Sequence, residues 1–513
     1  MATRSATRPK VPGPGPAGLA AALTAIAIAG CSSSAGPAGA EGGAKPSPLP
    51  NVDAANTRHS VGEVRAADVS ELRPAWRVRI STAGKAPGTH LSTPIVAGGV
   101  IYVQDQRSNV RAIDFHSGSV LWERRFHAPT KKPNGLAAAA GRVYGATPTS
   151  AFALDPKTGR EIWSTQLVRG RGERIEMAPG YHEGLVYVSS RPARFKGGEV
   201  GVLWALDAAT GKVAWSFDTV PRGLWGHPKV NFGGGLASAP AFDDEGSMYV
   251  GVGDPGPAPG TPRYPWGSSR PGPNLYTDSV VKLSARTGKV EWHYQITPHA
   301  VCGWRFISPM LLRVGGRELV IAGAASGVVV ALDSRTGHPV WKQQVGYHNT
   351  NDSANLVALR REYSKLEPAM TVFPGFEGGV ASPLATNGST LFASVLKGST
   401  RMNSEGVAVL DPYPTGELVA LDAATGKVKW TQGFSWAMLG PPTAVNDLVL
   451  ATTLEGVVYA FNGRTGVEAW SASMPAGIDA GLAVSGDTLL VPAGVRNSAE
   501  ETPELVAYRL SGK

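Results

Sequence analysis

The chain of 513 residues holds only two cysteines, Cys31 and Cys302. Its ten histidines include no H-x-H or H-E-x-x-H spacing, so no familiar zinc site is spelled out. No P-loop and no G-x-S-x-G elbow occurs. Helical signals are scarce, the best being Asn355–Leu366. No Lys/Arg run or basic–aromatic stripe is present, and the net charge of +9 falls to +6 without Arg4, Arg8 and Lys10, which excludes nucleic acid as a partner. The longest N-terminal apolar run, Gly18–Ala29, is too short to span a bilayer.

What is there is a repeat. A-L-D-A-A-T-G-K-V-A-W at Ala205–Trp215 returns as A-L-D-A-A-T-G-K-V-K-W at Ala420–Trp430, with looser copies ending at Trp122, Trp163, Trp292, Trp341 and Trp470. An eighth tryptophan, Trp76, sits in L-R-P-A-W with no such turn before it. Each copy reads as a β-hairpin. A strand ends at Asp or a small polar residue, T-G or S-G supplies the turn, and alternation resumes towards Trp. A second strand pair of the type G-G-V-I-Y-V (Gly98–Val103) precedes most hairpins, making four strands per unit. The tryptophans are 46, 41, 52, 77, 49, 89 and 40 residues apart. Most of these fit one four-stranded blade, and 77 and 89 fit a blade plus an insertion. The expected fold is all-β, an eight-bladed β-propeller. Trp76, Trp122, Trp163, Trp215, Trp292, Trp341, Trp430 and Trp470 should dock one blade on the next. Trp76, lacking the turn, is expected to be the least buried. Glu504–Leu510 should be the strand that closes the ring.

The N-terminus reads as a secretory leader, and Ile28-Ala29-Gly30-Cys31 resembles the bacterial lipobox. The expected plan is a lipoprotein signal peptide over 1–31 with Cys31 lipidated, a Ser/Gly/Pro-rich tether over 32–50, and the propeller over 51–513. It implies a monomer anchored by diacylglyceryl-Cys31 to the outer face of the cytoplasmic membrane, or to an outer membrane in a diderm cell. With Cys31 lipidated no intramolecular disulfide remains, and Cys302 reads as a small buried apolar residue.

Asn51–Ser60 with Val69–Trp76, Arg270–Pro298 and Gly456–Ala493 resemble segments of the pyrroloquinoline-quinone-dependent alcohol dehydrogenases, whose fold is an eight-bladed propeller. In that family a quinone and Ca²⁺ or a lanthanide occupy the central funnel. The resemblance implies Glu199, in Gly197–Val202, as one oxygen ligand. It implies Asp254, after Tyr249–Gly253, in place of an Asn ligand. It also implies a catalytic Asp soon after T-P-H, yet no Asp or Glu occurs from Thr297 through Leu312. Leu236, Ala237 and Ser238 stand where the family stacks an indole under the quinone. Ala324-Ala325-Ser326-Gly327 and Asn134 stand where it has basic residues, and its vicinal Cys–Cys ring is absent.

These departures lead to the expectation of a propeller that has lost quinone catalysis. It would act as a binding or scaffold module for a protein, a cell-wall component or a small ligand, with no catalytic residue and no cofactor; Ca²⁺ or a lanthanide at Glu199 and Asp254 is the alternative to that, ahead of the quinone. Two alternatives stand beside it. One is a quinone- and metal-dependent alcohol dehydrogenase with an unconventional site. The other is an envelope scaffold similar to the propeller lipoprotein of the outer-membrane β-barrel assembly machinery.

Overall fold

The computed structural model describes residues 46–80, 90–170, 172–192, 197–301, 307–349, 361–362, 370–376, 378–402, 408–498 and 500–511. Cys31, the leader and most of the tether, Cys302 and nearly all of the helical segment at 355–366 lie outside them. Among the described residues the chain is strand and loop, with 3-10 turns at Val69–Glu71, Leu224–Gly226 and Pro265–Gly267. No helix there is long and apolar enough to cross a membrane.

Among the described residues the strands form ten sheets, five of four strands, three of five, one of three and one of two; each of the eight larger ones is identified here by the tryptophan on its outermost strand. The Trp122 sheet shows the pattern, with strands Ile95–Ala97, Val100–Gln104, Val110–Asp114 and Val120–Arg124 in order from the inside out. The Trp163, Trp215, Trp292, Trp341, Trp430 and Trp470 sheets follow along the chain. The last sheet takes three C-terminal strands, Ala483–Ser485, Thr488–Ala493 and Glu504–Leu510. Its outer strand is the N-terminal Leu72–Arg79, which carries Trp76. The two ends of the chain therefore close the ring in one sheet, through pairs such as Trp76 with Ala507.

The repeat phrase does two things. In its turn the Asp carboxylate accepts hydrogen bonds from the backbone N–H and the hydroxyl of the Thr or Ser three residues on. Asp207 with Thr210 (2.8 and 2.7 Å) is typical. These bonds hold the carboxyls of Asp114, Asp155, Asp207 and Asp422 below their ordinary pKa. The glycine of the turn, with φ near +70°, then lies flat under the indole of the preceding sheet. A Cβ on Gly118, Gly159, Gly211, Gly288, Gly337, Gly426 or Gly466 would come within 2.7 Å of Trp76, Trp122, Trp163, Trp215, Trp292, Trp341 or Trp430, respectively. Each of those indoles also donates Nε1–H to a backbone carbonyl of the next sheet at 2.9–3.2 Å; Trp163 to Ala208 (3.0 Å) is one.

Trp76 belongs fully to this series. It is half-buried like most of the others and donates to Phe115 at 3.2 Å. The exception is Trp470. The sheet that follows it is split between the chain ends, so no T-G turn exists for it to rest on. It packs edge-on against Tyr508 instead, with ring centroids 5.6 Å apart. Trp76→Ala should therefore cost about 3–5 kcal/mol, as for any well-packed aromatic, and Trp470→Ala less. Urea unfolding of the two variants checks this order.

A second structural element was not foreseen. Residues 47–63 run round the inner ends of the sheets as a belt. Val96 and Ser47 exchange backbone hydrogen bonds (3.0 and 2.9 Å), and Pro48 O accepts from Ala138 (2.8 Å). Ala54, Ala55, Thr57 and Arg58 then accept from Phe242, Leu311, Thr386 and Ala444, and Glu63 donates to Gly486. Seven of the eight sheets are tied in this way. Ser47–Pro50, inside the stretch expected to be tether, thus belong to this belt.

Arg58 is the anchor of the belt. It is 1% exposed and donates to Pro442 O (2.7 Å), Thr443 Oγ1 (2.7 Å), Pro50 O, Asn51 Oδ1 and Leu482 O. Burial lowers its pKa to about 10, so it remains charged at neutral pH.

Candidate functional site

Above the belt lies a cavity of about 530 Å³, floored by Pro50, Asn51 and Arg58. Its walls come from loops of many sheets, including Ser92, Asn134, Met177, Ser238, Ser382 and Gly481. Its size suits a small organic ligand, for which pockets of about 300–1,000 Å³ are usual. Its charged lining residues are Lys131, Lys132, Glu176, Arg191 and Asp479, besides Arg58 in the floor. A smaller cavity of about 280 Å³ adjoins it through Arg191, which lines both. Phe232, Pro255, Pro257 and Asp254 line the smaller one.

Glu199 and Asp254 come to one glycine-rich segment. Gly233 N donates to Glu199 O (3.1 Å) and Gly234 N to Asp254 O (3.0 Å). Glu199 is 8% exposed, and its Oε1 rests against the bare Cα of Gly172, in space that a Cβ there would fill. No cluster of three or more His, Cys, Asp or Glu surrounds either residue among the described residues. The donors are oxygen, as a hard cation requires.

Arg270–Pro298, the segment most similar to the dehydrogenase family, proves to be a brace. Arg270 is fully buried and donates to Ala300 O (2.7 Å), Pro257 O (3.2 Å) and Asn274 Oδ1. Asn274 N in turn donates to Pro298 O at 2.7 Å. The brace fixes the T-P-H turn. His299 within it is 1% exposed, with Nδ1 3.0 Å from Gly272 O and Nε2 3.3 Å from Trp266 O. Burial, then the nearby Arg270 charge, push its pKa down. Both ring nitrogens face backbone carbonyls, and His299 lines neither cavity. Ala300 and Val301 follow it, and 302–306 lie outside the described residues.

The larger cavity fits an anionic planar quinone in volume and in its excess of cationic groups, while Asp254 lines only the smaller cavity and Glu199 neither. Ala237 and Ser238 form part of the wall where the resemblance led one to look for an indole. Sequence reading missed Lys131, Lys132, Arg191, Asp479 and His90, because residues so far apart give no local pattern. The one available signal was that Lys131-Lys132 immediately precedes the Pro133-Asn134 stretch already under scrutiny.

Comparison with known proteins agrees with the fold. The family described as glucose/ethanol/alcohol dehydrogenase, beta-propeller domain, matches residues 49–142 and 181–344, together half of the chain. A second family, described as outer membrane protein assembly factor BamB, matches 378–512. The quinohemoprotein alcohol dehydrogenase of Comamonas testosteroni is 28% identical over 84% of this chain and 69% of its own length. Its crystal structure superposes with a TM-score of 0.77, covering 91% of this chain and 81% of that one at 22% identity. The dehydrogenase subunit of the quinone alcohol dehydrogenase of Gluconobacter oxydans is 27% identical over 59% of this chain, which spans less than half (44%) of that relative. A europium-containing methanol dehydrogenase superposes with a TM-score of 0.73, covering 92% of this chain and 98% of that one at 20% identity. The expectation of a propeller without quinone is corrected by these relatives, which are quinone enzymes, one of them with a lanthanide. The inclination against an enzyme finds no support in them either. The chain belongs to the pyrroloquinoline-quinone-dependent alcohol dehydrogenase family and has its β-propeller fold.

Proposed function

We propose that this chain is a quinone-dependent alcohol dehydrogenase with an unconventional site, holding pyrroloquinoline quinone in the axial cavity and a hard cation at Glu199 and Asp254. The observation that carries the reading is a cavity of cofactor size walled by cationic residues, with Asp254 lining the smaller cavity beside it and Glu199 bonded through its backbone to the same Gly233–Gly234 segment. When bound, the quinone supplies a two-electron acceptor for the hydride of an alcohol. The protein's part is to hold its ligand in a semi-enclosed, cation-lined space, where electrostatic contacts gain strength. The smaller cavity beside Asp254, with Phe232, three prolines and an alanine around it, suits a small apolar alcohol. Titration of the purified body with pyrroloquinoline quinone and Ca²⁺ or a lanthanide, followed by a dye-linked alcohol assay, tests this. Absence of both binding and turnover would overturn it.

A second reading, quinone binding without turnover, is favoured by one observation: His299 is enclosed and followed by Ala300 and Val301 rather than by an acid. Binding in the same titration without alcohol oxidation would decide for it.

A cation held at Glu199 should stabilise the fold by mass action, about 2.7 kcal/mol at a hundredfold excess over Kd. Glu199→Gln should abolish that gain in thermal unfolding with Ca²⁺ or a lanthanide, while leaving stability in chelator unchanged. The extracytoplasmic placement, through lipid on Cys31, belongs to the same proposal. Cys31→Ala protein should leave the membrane fraction in a carbonate wash, since no apolar run long enough to span replaces the anchor.

A further inference from the structure

The basic groups of the axial cavity are not those that the family resemblance pointed to. Lys131 and Lys132 stand between the Trp122 and Trp163 sheets, and Arg191 ends a strand of the Trp215 sheet. Lys132 Nζ lies 3.0 Å from Asp479 Oδ2, and the same oxygen lies 2.8 Å from His90 Nδ1. Asp479 is only 5% exposed and gives Lys132, whose own side chain is 55% exposed, a fixed partner. Burial pushes the Asp479 carboxyl up, but the charges of Lys132 and His90 outweigh it and hold it at about 2. Arg191 is held more loosely, its Nη1 3.9 Å from Glu176 Oε2. Three cations thus face the cavity against two carboxylates. Arg58, in the floor, is spent on belt carbonyls.

A lysine offers a point charge with three donors, and an arginine a planar fork that matches a carboxylate. Such groups on separate walls suit a rigid ligand with carboxylates on more than one edge. We propose that Lys131, Lys132 and Arg191 form a clamp for the carboxylates of a planar polycarboxylate, with Asp479 as the residue that positions Lys132. The identity of that ligand as pyrroloquinoline quinone rests on the function proposed above. In this chain the clamp replaces the neutral positions at Asn134 and Ser326.

The test is calorimetric titration of the full mature chain with two probes in Ca²⁺, pyrroloquinoline quinone and benzene-1,3,5-tricarboxylate. Charge-assisted hydrogen bonds contribute about 1.5–3 kcal/mol each, so Lys132→Ala and Arg191→Ala should each weaken both probes about tenfold or more. Lys132→Arg should keep most of the affinity, and its melting temperature controls for folding. Asp479→Asn should weaken both probes through Lys132, an effect that should vanish in a Lys132→Ala background. Binding of both probes should fall with added salt. Unchanged affinity in Lys132→Ala and Arg191→Ala would overturn the clamp and leave the quinone reading standing. Lys132-dependent binding of the tricarboxylate without binding of the quinone would keep the clamp and overturn the quinone reading. Wild type that binds neither probe would overturn both.

Discussion

Arg58→Ala should be the most damaging single substitution in the chain, costing on the order of 5 kcal/mol or more. The guanidinium is fully enclosed and serves five acceptors from Pro50, Asn51, Pro442, Thr443 and Leu482. Truncation strands several of them without water, at about 1–3 kcal/mol for each buried group left unmade. It also opens a void against Gly481, whose bare Cα accommodates the guanidinium. Arg58→Lys should recover little, because an ammonium cannot reach acceptors spread over so wide a fork. Guanidinium unfolding checks both. A loss under about 2 kcal/mol for Arg58→Ala would show that the belt is not fastened at this residue.

Trp163 and Gly211 should reveal themselves as one joint. Trp163 is the most buried of the docking tryptophans, 8% exposed, and its removal should cost about 3–5 kcal/mol. Gly211→Val should cost at least as much. The position has φ +71°, where a β-branched residue is strained, and the new Cβ would press into the indole ring. The double variant should cost clearly less than the two losses added, because the clash disappears with the indole. Strict additivity in a double-mutant cycle would deny that the pair forms the contact between sheets.

The blades were legible because everything that makes one is local. Asp207, Thr210 and Gly211 lie within five residues, and alternation to Trp215 follows at once. The place of Trp76 was misread for a related reason. A docking tryptophan depends on the turn of the next sheet, not on the turn before itself, so Trp76 is regular and Trp470 is the odd one. The belt carries neither alternation nor helical spacing, since its bonds are made by backbone groups to segments up to more than 400 residues away. The likeness of Arg270–Pro298 to quinone enzymes was plain in the sequence. Only the coordinates show that Arg270 spends its donors on bracing and that His299 is turned inward. The cavity was illegible in another way: Lys132, Arg191 and Asp479 share no sequence neighbourhood and meet because the ring is closed.

The belt also sets an order of events in the life of the chain. Residues 47–63 emerge from the ribosome more than 400 residues before Gly486 and the strand Glu504–Leu510 that pairs with Leu72–Arg79. At about 5–20 residues per second that interval is on the order of a minute. Throughout it the fastening of seven sheets has nothing complete to fasten, and the strand carrying Trp76 has an open edge. A nascent chain halted before Gly486 is therefore a row of blades with an unmade clasp. Whatever guards this protein during synthesis must cover the belt until its last partners arrive.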